Sequence, residues 1–173
     1  VAWRAADIRA TREQALRQVD QGNFSEAEPL LRMAFGHDPA DVEVVRELAK
    51  GYFTVDRKGD ADEFASRWAA LAPDSPEPLL LRIKLYRELG QLNKALLNSN
   101  RLLQIDPTNL SWRSNRVNLL YSAGRAEEAE KECRACLERR PSDAGLLRAL
   151  IERRAVAGVF VTAAIASLPV SAL

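Results

Sequence analysis

The chain has 173 residues, of which 47% are hydrophobic and only 6% aromatic, a composition that argues against a disordered protein. Its 25 Lys and Arg residues nearly balance its 24 Asp and Glu residues, so no overall electrostatic field attracts nucleic acid or an anionic membrane. The length allows either one compact domain or a short solenoid with a substantial apolar core.

Three kinds of residue recur along the chain at intervals of 34 positions. The first is proline, which prevents a helix from continuing, at Pro39, Pro73, Pro107 and Pro141. The second is alanine, at Ala27, Ala61, Ala95 and Ala129, and the third is a side chain able to cap a helix N-terminus, at Asp41, Ser75, Asn109 and Asp143. A period of this length indicates a repeat protein. It predicts repeats 1 to 4 at 8–41, 42–75, 76–109 and 110–143, with residues 1–7 extending the first helix.

Each repeat is predicted to contain two antiparallel helices. Between them lies a residue that tolerates the left-handed backbone at a helix end, in turn Gly22, Asp56, Gly90 and Gly124. The second helix carries the alanine, whose small side chain lets two helix axes approach closely. Apolar spacing supports the first helices of repeats 2 and 3, which contain Val44, Val45, Leu48, Ala49, Tyr52 and Val55, then Leu79, Ile83, Tyr86 and Leu89. Repeat 1 has a polar first helix, as suits a terminal repeat that packs on one side.

The period, the alanine, the proline and Tyr52 or Tyr86 resemble the tetratricopeptide repeat family over residues 8–143. The resemblance implies an all-α, right-handed α-solenoid of about four helix-turn-helix repeats with a C-terminal capping helix or helices. Every repeat lacks the family's Trp-x-x-Leu-Gly opening, and Arg82, Arg113 and Arg116 stand where small or apolar residues are usual. The rival solenoid is the pentatricopeptide repeat, which would imply RNA recognition. The regular spacing of 34 residues disfavours it, because that repeat is usually one residue longer.

The resemblance also implies a non-enzymatic scaffold with a concave groove lined by the first helices. Its implied lining residues are Arg46, Lys50, Phe53, Lys84, Arg87, Asn115, Asn118 and Tyr121, extended by Arg148 of the downstream helix. Asparagine amides can pair with the main chain of an extended peptide, and the cations can hold an acidic side chain or a terminal carboxylate. The predicted partner is therefore an extended or helical protein segment, an acidic one included, and no nucleic acid. The competing interpretation is a set of ordinary solvated helix residues.

Cysteine and histidine placement predicts no metal site and no cofactor. Cys133 and Cys136 form a C-x-x-C within a predicted helix, at positions that call for packing residues, and the only histidine, His37, lies nearly three repeats away. The alternative for the two cysteines is a labile or metal-responsive pair. His37 is expected in a surface loop between repeats. Without a Gly-rich phosphate loop or convergent acid and base groups, the sequence predicts that the chain is not an enzyme.

Residues 144–173 depart from the repeat pattern. A capping helix is expected from residue 144 to about residue 157, followed by an uncharged apolar tail over residues 155–173. The tail is interpreted as a second cap, as an edge for self-association or as a marginal membrane anchor. Two alternatives to the scaffold stay open: a region of a larger membrane-associated or enzymatic protein, and a self-assembling structural solenoid. A cytoplasmic location is favoured, with membrane association as the alternative.

Overall fold

The computed structural model describes residues 5–139, which form eight α-helices and no strand. These are α1 Ala5–Asp20, α2 Phe24–His37, α3 Val42–Thr54, α4 Lys58–Leu71, α5 Glu77–Glu88, α6 Leu92–Ile105, α7 Leu110–Ser122 and α8 Ala126–Arg139. Successive pairs, α1 with α2 and so on to α7 with α8, pack as helical hairpins. The prediction of an all-α helical repeat fold is confirmed. The repeat boundaries themselves stay a prediction, and the expected capping helix and apolar tail lie outside the described residues.

The chain divides into two compact bodies, an N-terminal body over Val1–Ile105 and a C-terminal body over Asp106–Leu173. In the part that the structure describes, the N-terminal body contains α1 to α6 and the C-terminal body contains α7 and α8.

Each hairpin turns at a residue with positive φ. The values are 78° at Gly22, 59° at Asp56, 68° at Gly90 and 75° at Gly124, as the sequence predicts. The next amide donates back to a carbonyl in the last turn of the first helix, for example from Arg57 to Tyr52 over 2.9 Å. This arrangement satisfies a carbonyl that the helix end leaves free, and it requires the left-handed conformation. Asp56 is the one non-glycine residue among these four turn residues. Aspartate tolerates the left-handed region of backbone conformation better than most residues do.

Two of the predicted N-caps are confirmed and one is wrong. Asp41 Oδ1 accepts from the amides of Glu43 at 3.0 Å and Val44 at 3.2 Å, and Asn109 Oδ1 accepts from Trp112 at 3.1 Å. Ser75 does not cap α5, because the following Pro76 already has helical backbone angles and occupies the cap position. The Ser75 hydroxyl donates instead to the Glu77 carboxylate. Asp143 lies outside the described residues.

The Asp41 carboxylate also joins α1 to α3. Arg12 on α1 donates to Asp41 over 2.6 Å and to Glu43 over 2.6 Å. Burial acts to raise the pKa of Asp41, but the hydrogen bonds from Arg12 and from the Val44 amide outweigh it and lower that pKa below its usual value. The ionised form is therefore favoured by folding.

Asp41→Asn is expected to lower the unfolding free energy at neutral pH by about 1 kcal/mol, because asparagine keeps the cap and loses the ion pair. A lowered folded-state pKa contributes stability above the unfolded pKa of about 3.9 and loses it as pH falls through the folded pKa. The difference between wild type and variant should therefore close below about pH 4. Denaturant titrations across this range measure it. The control is Asp20→Asn, because Asp20 is exposed and forms no ion pair within the described residues. If the difference between wild type and Asp41→Asn persists at low pH, the assignment of the ion pair is contradicted.

Small residues allow helices within each body to approach. The four repeat alanines are fully buried, as predicted from their spacing. Gly51 lies against the Phe24 ring so closely that a β-carbon there would be 1.8 Å from it. The Phe24 ring in turn meets the Tyr52 ring edge-on at 5.4 Å, so glycine at position 51 brings an aromatic cluster together across three helices, α2, α3 and α4, with Phe64 as its third ring.

The predicted apolar faces are confirmed over most of their length. Val44, Val45, Leu48, Ala49, Tyr52, Leu79 and Tyr86 are buried. Val55 and Leu89 are not, with 44% and 40% of their surface exposed. Both follow the last residue of a first helix, where the chain turns away from its packing partner.

Arginines at apolar positions are accommodated by carboxylates or by a backbone carbonyl. Arg82 donates to Asp62 over 2.9 Å, Arg116 pairs with Glu132, and Arg113 donates to the Pro107 carbonyl over 2.8 Å. Cys133 and Cys136 are buried on α8, as expected for packing residues. His37 is exposed as predicted but ends α2 rather than lying in the following loop.

Candidate functional site

The first helices α1, α3 and α5 of the N-terminal body lie next to each other. Cα atoms of α1 and α3, and of α3 and α5, come within 8 Å. Five of the predicted groove residues belong to α3 and α5: Arg46, Lys50, Phe53, Lys84 and Arg87. Lys50, Lys84 and Arg87 are exposed, while Arg46 and Phe53 are half-buried. We call the surface formed by these five residues and Leu80 the first-helix face.

Three cations of this face form no ion pair. From α3 to α5, every other Lys and Arg is paired with a carboxylate: Arg46, Arg57, Lys58, Arg67 and Arg82. Lys50, Lys84 and Arg87 have no such partner among the described residues. The unpaired positive charge of this segment is therefore concentrated at predicted groove positions.

Aromatic rings support both lysines of the face. The Lys84 ammonium group lies 4.6 Å from the centre of the Phe53 ring, so this contact crosses from α5 to α3. The Lys50 ammonium group lies 5.6 Å from the centre of the buried Trp68 ring on α4. A cation over an aromatic ring is attracted by the negative charge of the ring face. Leu80, four residues before Lys84 and 38% exposed, adds apolar surface beside it.

Carboxylates limit the positive charge at the N-terminal end of the face. Arg46 donates to Glu47 over 2.7 Å and to Glu43 over 3.2 Å, so its charge is already matched. The Ser75 hydroxyl, the amide of Glu77 itself, and the positive charges of Lys50 and Arg46 keep the pKa of Glu77 low against the effect of burial. Glu77 is therefore an acidic neighbour of Lys50, and Lys84 and Arg87 form the part of the face with net positive charge.

The other predicted groove residues belong to the C-terminal body. Asn115 and Asn118 are exposed on α7, as a ligand contact requires. Tyr121 is only 8% exposed and offers little surface. Arg148 lies outside the described residues.

Sequence reasoning found the cations of the first-helix face but not what lies beneath them. Trp68 lies 18 residues from Lys50, and this spacing carries no signal of contact. Sequence reasoning also did not predict Arg12 as the link between α1 and α3. Both contacts join different helices, and neither follows from a helical period.

Other kinds of site are not evident in residues 5–139. No three His, Cys, Asp or Glu side chains converge there as metal ligands would. None of the described helices combines the length and the apolar character that crossing a bilayer demands. A shallow recess between α1 and α2 is lined by Ile8, Thr11, Met33, Ala34 and His37.

The chain is similar to known repeat proteins in sequence and in fold. A TPR repeat-containing thioredoxin from Arabidopsis thaliana, TTL4, is 35% identical over 92 residues, which are 53% of this chain and 13% of that protein. A MamA structure (AMB-1) has a TM-score of 0.71 at 22% identity and covers 90% of this chain and 85% of its own. A tetratricopeptide repeat protein from Parabacteroides merdae has a TM-score of 0.70 at 22% identity, covering 82% of this chain and 57% of its own. The chain has the fold of tetratricopeptide repeat proteins.

Two further comparisons were informative for this repeat fold. The first tetratricopeptide repeat of Spaghetti (RPAP3), bound to the HSP90 peptide SRMEEVD, has a TM-score of 0.59 at 17% identity and covers 70% of this chain and 96% of its own. No protein-family model matches the chain. Because the match to the thioredoxin spans 13% of that protein, it carries no statement about the activity of the whole.

Proposed function

We propose that this chain, with its tetratricopeptide repeat fold, is a non-enzymatic scaffold that binds an extended or helical segment of another protein on its first-helix face. The observation that carries the proposal is the set of three unpaired cations, Lys50, Lys84 and Arg87, beside the apolar surface of Phe53 and Leu80. Polar groups with open hydrogen-bonding capacity beside apolar contacts are the usual composition of a surface that recognises a peptide.

The fold supports the proposal in general terms. Its solved relatives include a tetratricopeptide repeat that is bound to a peptide. The exposed amides of Asn115 and Asn118 give the C-terminal body a polar surface of its own, on which a main chain could find both donors and acceptors.

A second candidate is a repeat region within a larger protein. The observation that favours it is the much greater length of the thioredoxin relative, only 13% of which is matched. In that case the first-helix face would bind a segment of the same larger assembly. Self-association of the chain is a third outcome that the following experiment separates.

Photo-crosslinking from the first-helix face tests the proposal. A benzophenone amino acid at Leu80 is expected to crosslink a partner protein from the native host, identified by mass spectrometry. The matched control is the same amino acid at Leu97, a leucine that is 62% exposed on the second helix α6. Equal crosslinking from both positions would contradict the assignment of the first-helix face as the binding surface. A crosslink to a second copy of the chain would indicate self-association.

A further inference from the structure

The only methionine and the only histidine of the chain line the same surface recess, the one between α1 and α2. Met33 and His37 are four residues apart near the end of α2, so their side chains are neighbours on the helix surface. Both are exposed, Met33 to 37%. Within residues 5–139 neither side chain forms a hydrogen bond or an ion pair. The thioether sulfur and the imidazole are therefore both open to a ligand.

A small residue beside the pair accounts for the recess. Ala34 stands at the repeat position that Trp68 and Leu102 occupy in repeats 2 and 3, where both are buried. Its short side chain fills less of the space between the two helices of repeat 1 than these larger side chains would. On the α1 side the recess is lined by Ile8 and Thr11. The sulfur and the imidazole thus border a gap that is particular to repeat 1.

We propose that Met33 and His37 form a binding site for a soft monovalent cation such as Cu(I). A thioether sulfur is a polarisable ligand that selects Cu(I), and imidazole nitrogen also binds copper. Zinc fits poorly, because its sites almost always have four protein or water ligands and rarely use a thioether. No three His, Cys, Asp or Glu side chains converge within residues 5–139. The sequence prediction of no metal site considered cysteine and histidine, and a thioether ligand lies outside that reasoning.

The end of α2 has the charge that a bound cation requires. His37 is the last residue of the helix, and the carbonyl groups of the last turn carry the partial negative charge of a helix C-terminus. The exposed carboxylate of Asp38 follows directly and forms no ion pair among the described residues. The one arginine of α2, Arg32, donates instead to Glu28 and Tyr52. Both features add negative charge close to the two ligands.

An NMR titration of the full chain with Ag(I) tests the proposal. Ag(I) is the probe because it shares the preference of Cu(I) for sulfur and nitrogen ligands and does not change its oxidation state in air. The single methionine and the single histidine give signals that identify themselves. The ε-methyl signal of Met33 and the imidazole signals of His37 should shift together, with one apparent affinity. A shift of only one of them, or two different affinities, would overturn the two-ligand site.

The competing soft ligands are Cys133 and Cys136, which lie on α8 in the C-terminal body. Thiolates bind soft cations strongly, so the titration is continued until no signal changes and is repeated on Cys133→Ala with Cys136→Ala. Both titrations should give the joint shift of Met33 and His37. Uptake of Ag(I) without a shift of these two signals would show that only the thiols bind, and it would refute the proposal.

Variants assign the binding to the pair. Met33→Leu and His37→Ala should each weaken binding, followed at the remaining ligand, by at least about tenfold, because the second of two linked ligands acts at a high effective concentration. The matched control is Gly36→His with His37→Ala, which keeps both ligand types but turns the imidazole by about 100° around the helix. A β-carbon at Gly36 would meet nothing within 4 Å, so the control is sterically tolerated. Binding by the control as tight as in wild type would contradict the pairing of positions 33 and 37.

Zn(II) tests the selectivity of the site. It should bind at Met33 and His37 at least about tenfold more weakly than Ag(I), because two ligands, one of them a thioether, suit a soft monovalent cation and not zinc. The same NMR signals report on both metals. Equal affinities for Zn(II) and Ag(I) would show that the site does not select soft cations, and the assignment would then be wrong.

Discussion

Tyr52→Ala is expected to lower the unfolding free energy of the N-terminal body by about 3–5 kcal/mol, the range for truncating a buried aromatic side chain. Tyr52 is fully buried, and its ring lies 5.4 Å from the Phe24 ring and 5.5 Å from the Phe64 ring. Its hydroxyl donates to Glu28 over 2.9 Å and accepts from Arg32 over 2.7 Å. The truncation therefore leaves a cavity among three helices and removes a polar link between repeats 1 and 2.

Tyr52→Phe is the matched variant, since it keeps the ring and removes only the hydroxyl. It should cost about 1 kcal/mol, the usual net contribution of one or two hydrogen bonds, because Arg57 still donates to Glu28. Denaturant unfolding followed by far-UV circular dichroism measures both changes. Similar losses for the two variants would show that the hydroxyl, and not the aromatic packing, dominates at this position.

Asp62→Ala is expected to cost about 2–3 kcal/mol, because it leaves two partners without their acceptor. The Asp62 carboxylate accepts from Arg82 over 2.9 Å and from the Tyr86 hydroxyl over 2.8 Å. The side chain of Arg82 is only 17% exposed and that of Asp62 32%, so water can replace the lost acceptor only in part. The effect should appear in denaturant unfolding of the N-terminal body.

The control for Asp62 is the next acidic residue of the same helix. Glu63 pairs with Arg67 over 3.0 Å, but the two side chains are 56% and 49% exposed. Because exposed pairs contribute little, Glu63→Ala should change the unfolding free energy by no more than about 0.5 kcal/mol. Comparable losses at Asp62 and Glu63 would contradict the assignment of Asp62 to the interface between repeats 2 and 3.

Both predictions concern one recurring contact. Tyr52 donates to Glu28 and Tyr86 donates to Asp62, and in each case the two residues are 24 positions apart. The tyrosine ends the buried face of a first helix, and the acid lies on the second helix of the preceding repeat. Arg82, which stands where the family usually has a small or apolar residue, completes the second contact by donating to both partners. Successive repeats of the N-terminal body are thus joined through polar as well as apolar contacts.

Local sequence features were sufficient for much of the fold. The turn residues at 22, 56, 90 and 124 were predictable because only a few residue types tolerate positive φ, and the repeat alanines because crossing helices need a small side chain. Ser75 failed as a cap because Pro76 competed for the same turn, which the repeat spacing alone does not reveal. The prediction that Val55 and Leu89 are buried was wrong, because the apolar spacing of the sequence extends beyond the residue at which each helix ends.

The candidate site also has features that could be predicted from the sequence and features that could not. Its cations on α3 and α5 were named from the resemblance to the tetratricopeptide repeat family, which implies that the first helices line a groove. The support of Lys50 by Trp68 and of Lys84 by Phe53 could not be predicted, because each contact depends on the packing of two helices. The unpaired state of these cations is likewise a property of the assembled surface, since an ion pair needs two side chains at one place.

The sequence by itself determined the helical hairpins, their turns and the exposed positions, because caps, glycines and apolar spacing act within one or two helical turns. Only the tertiary structure decided which charges cancel. Arg46 and Arg82 found carboxylates, whereas Lys50, Lys84 and Arg87 did not. The physical reason is range: a hydrogen bond or ion pair requires contact within a few ångströms, and which residues meet at that distance is set by how helices pack.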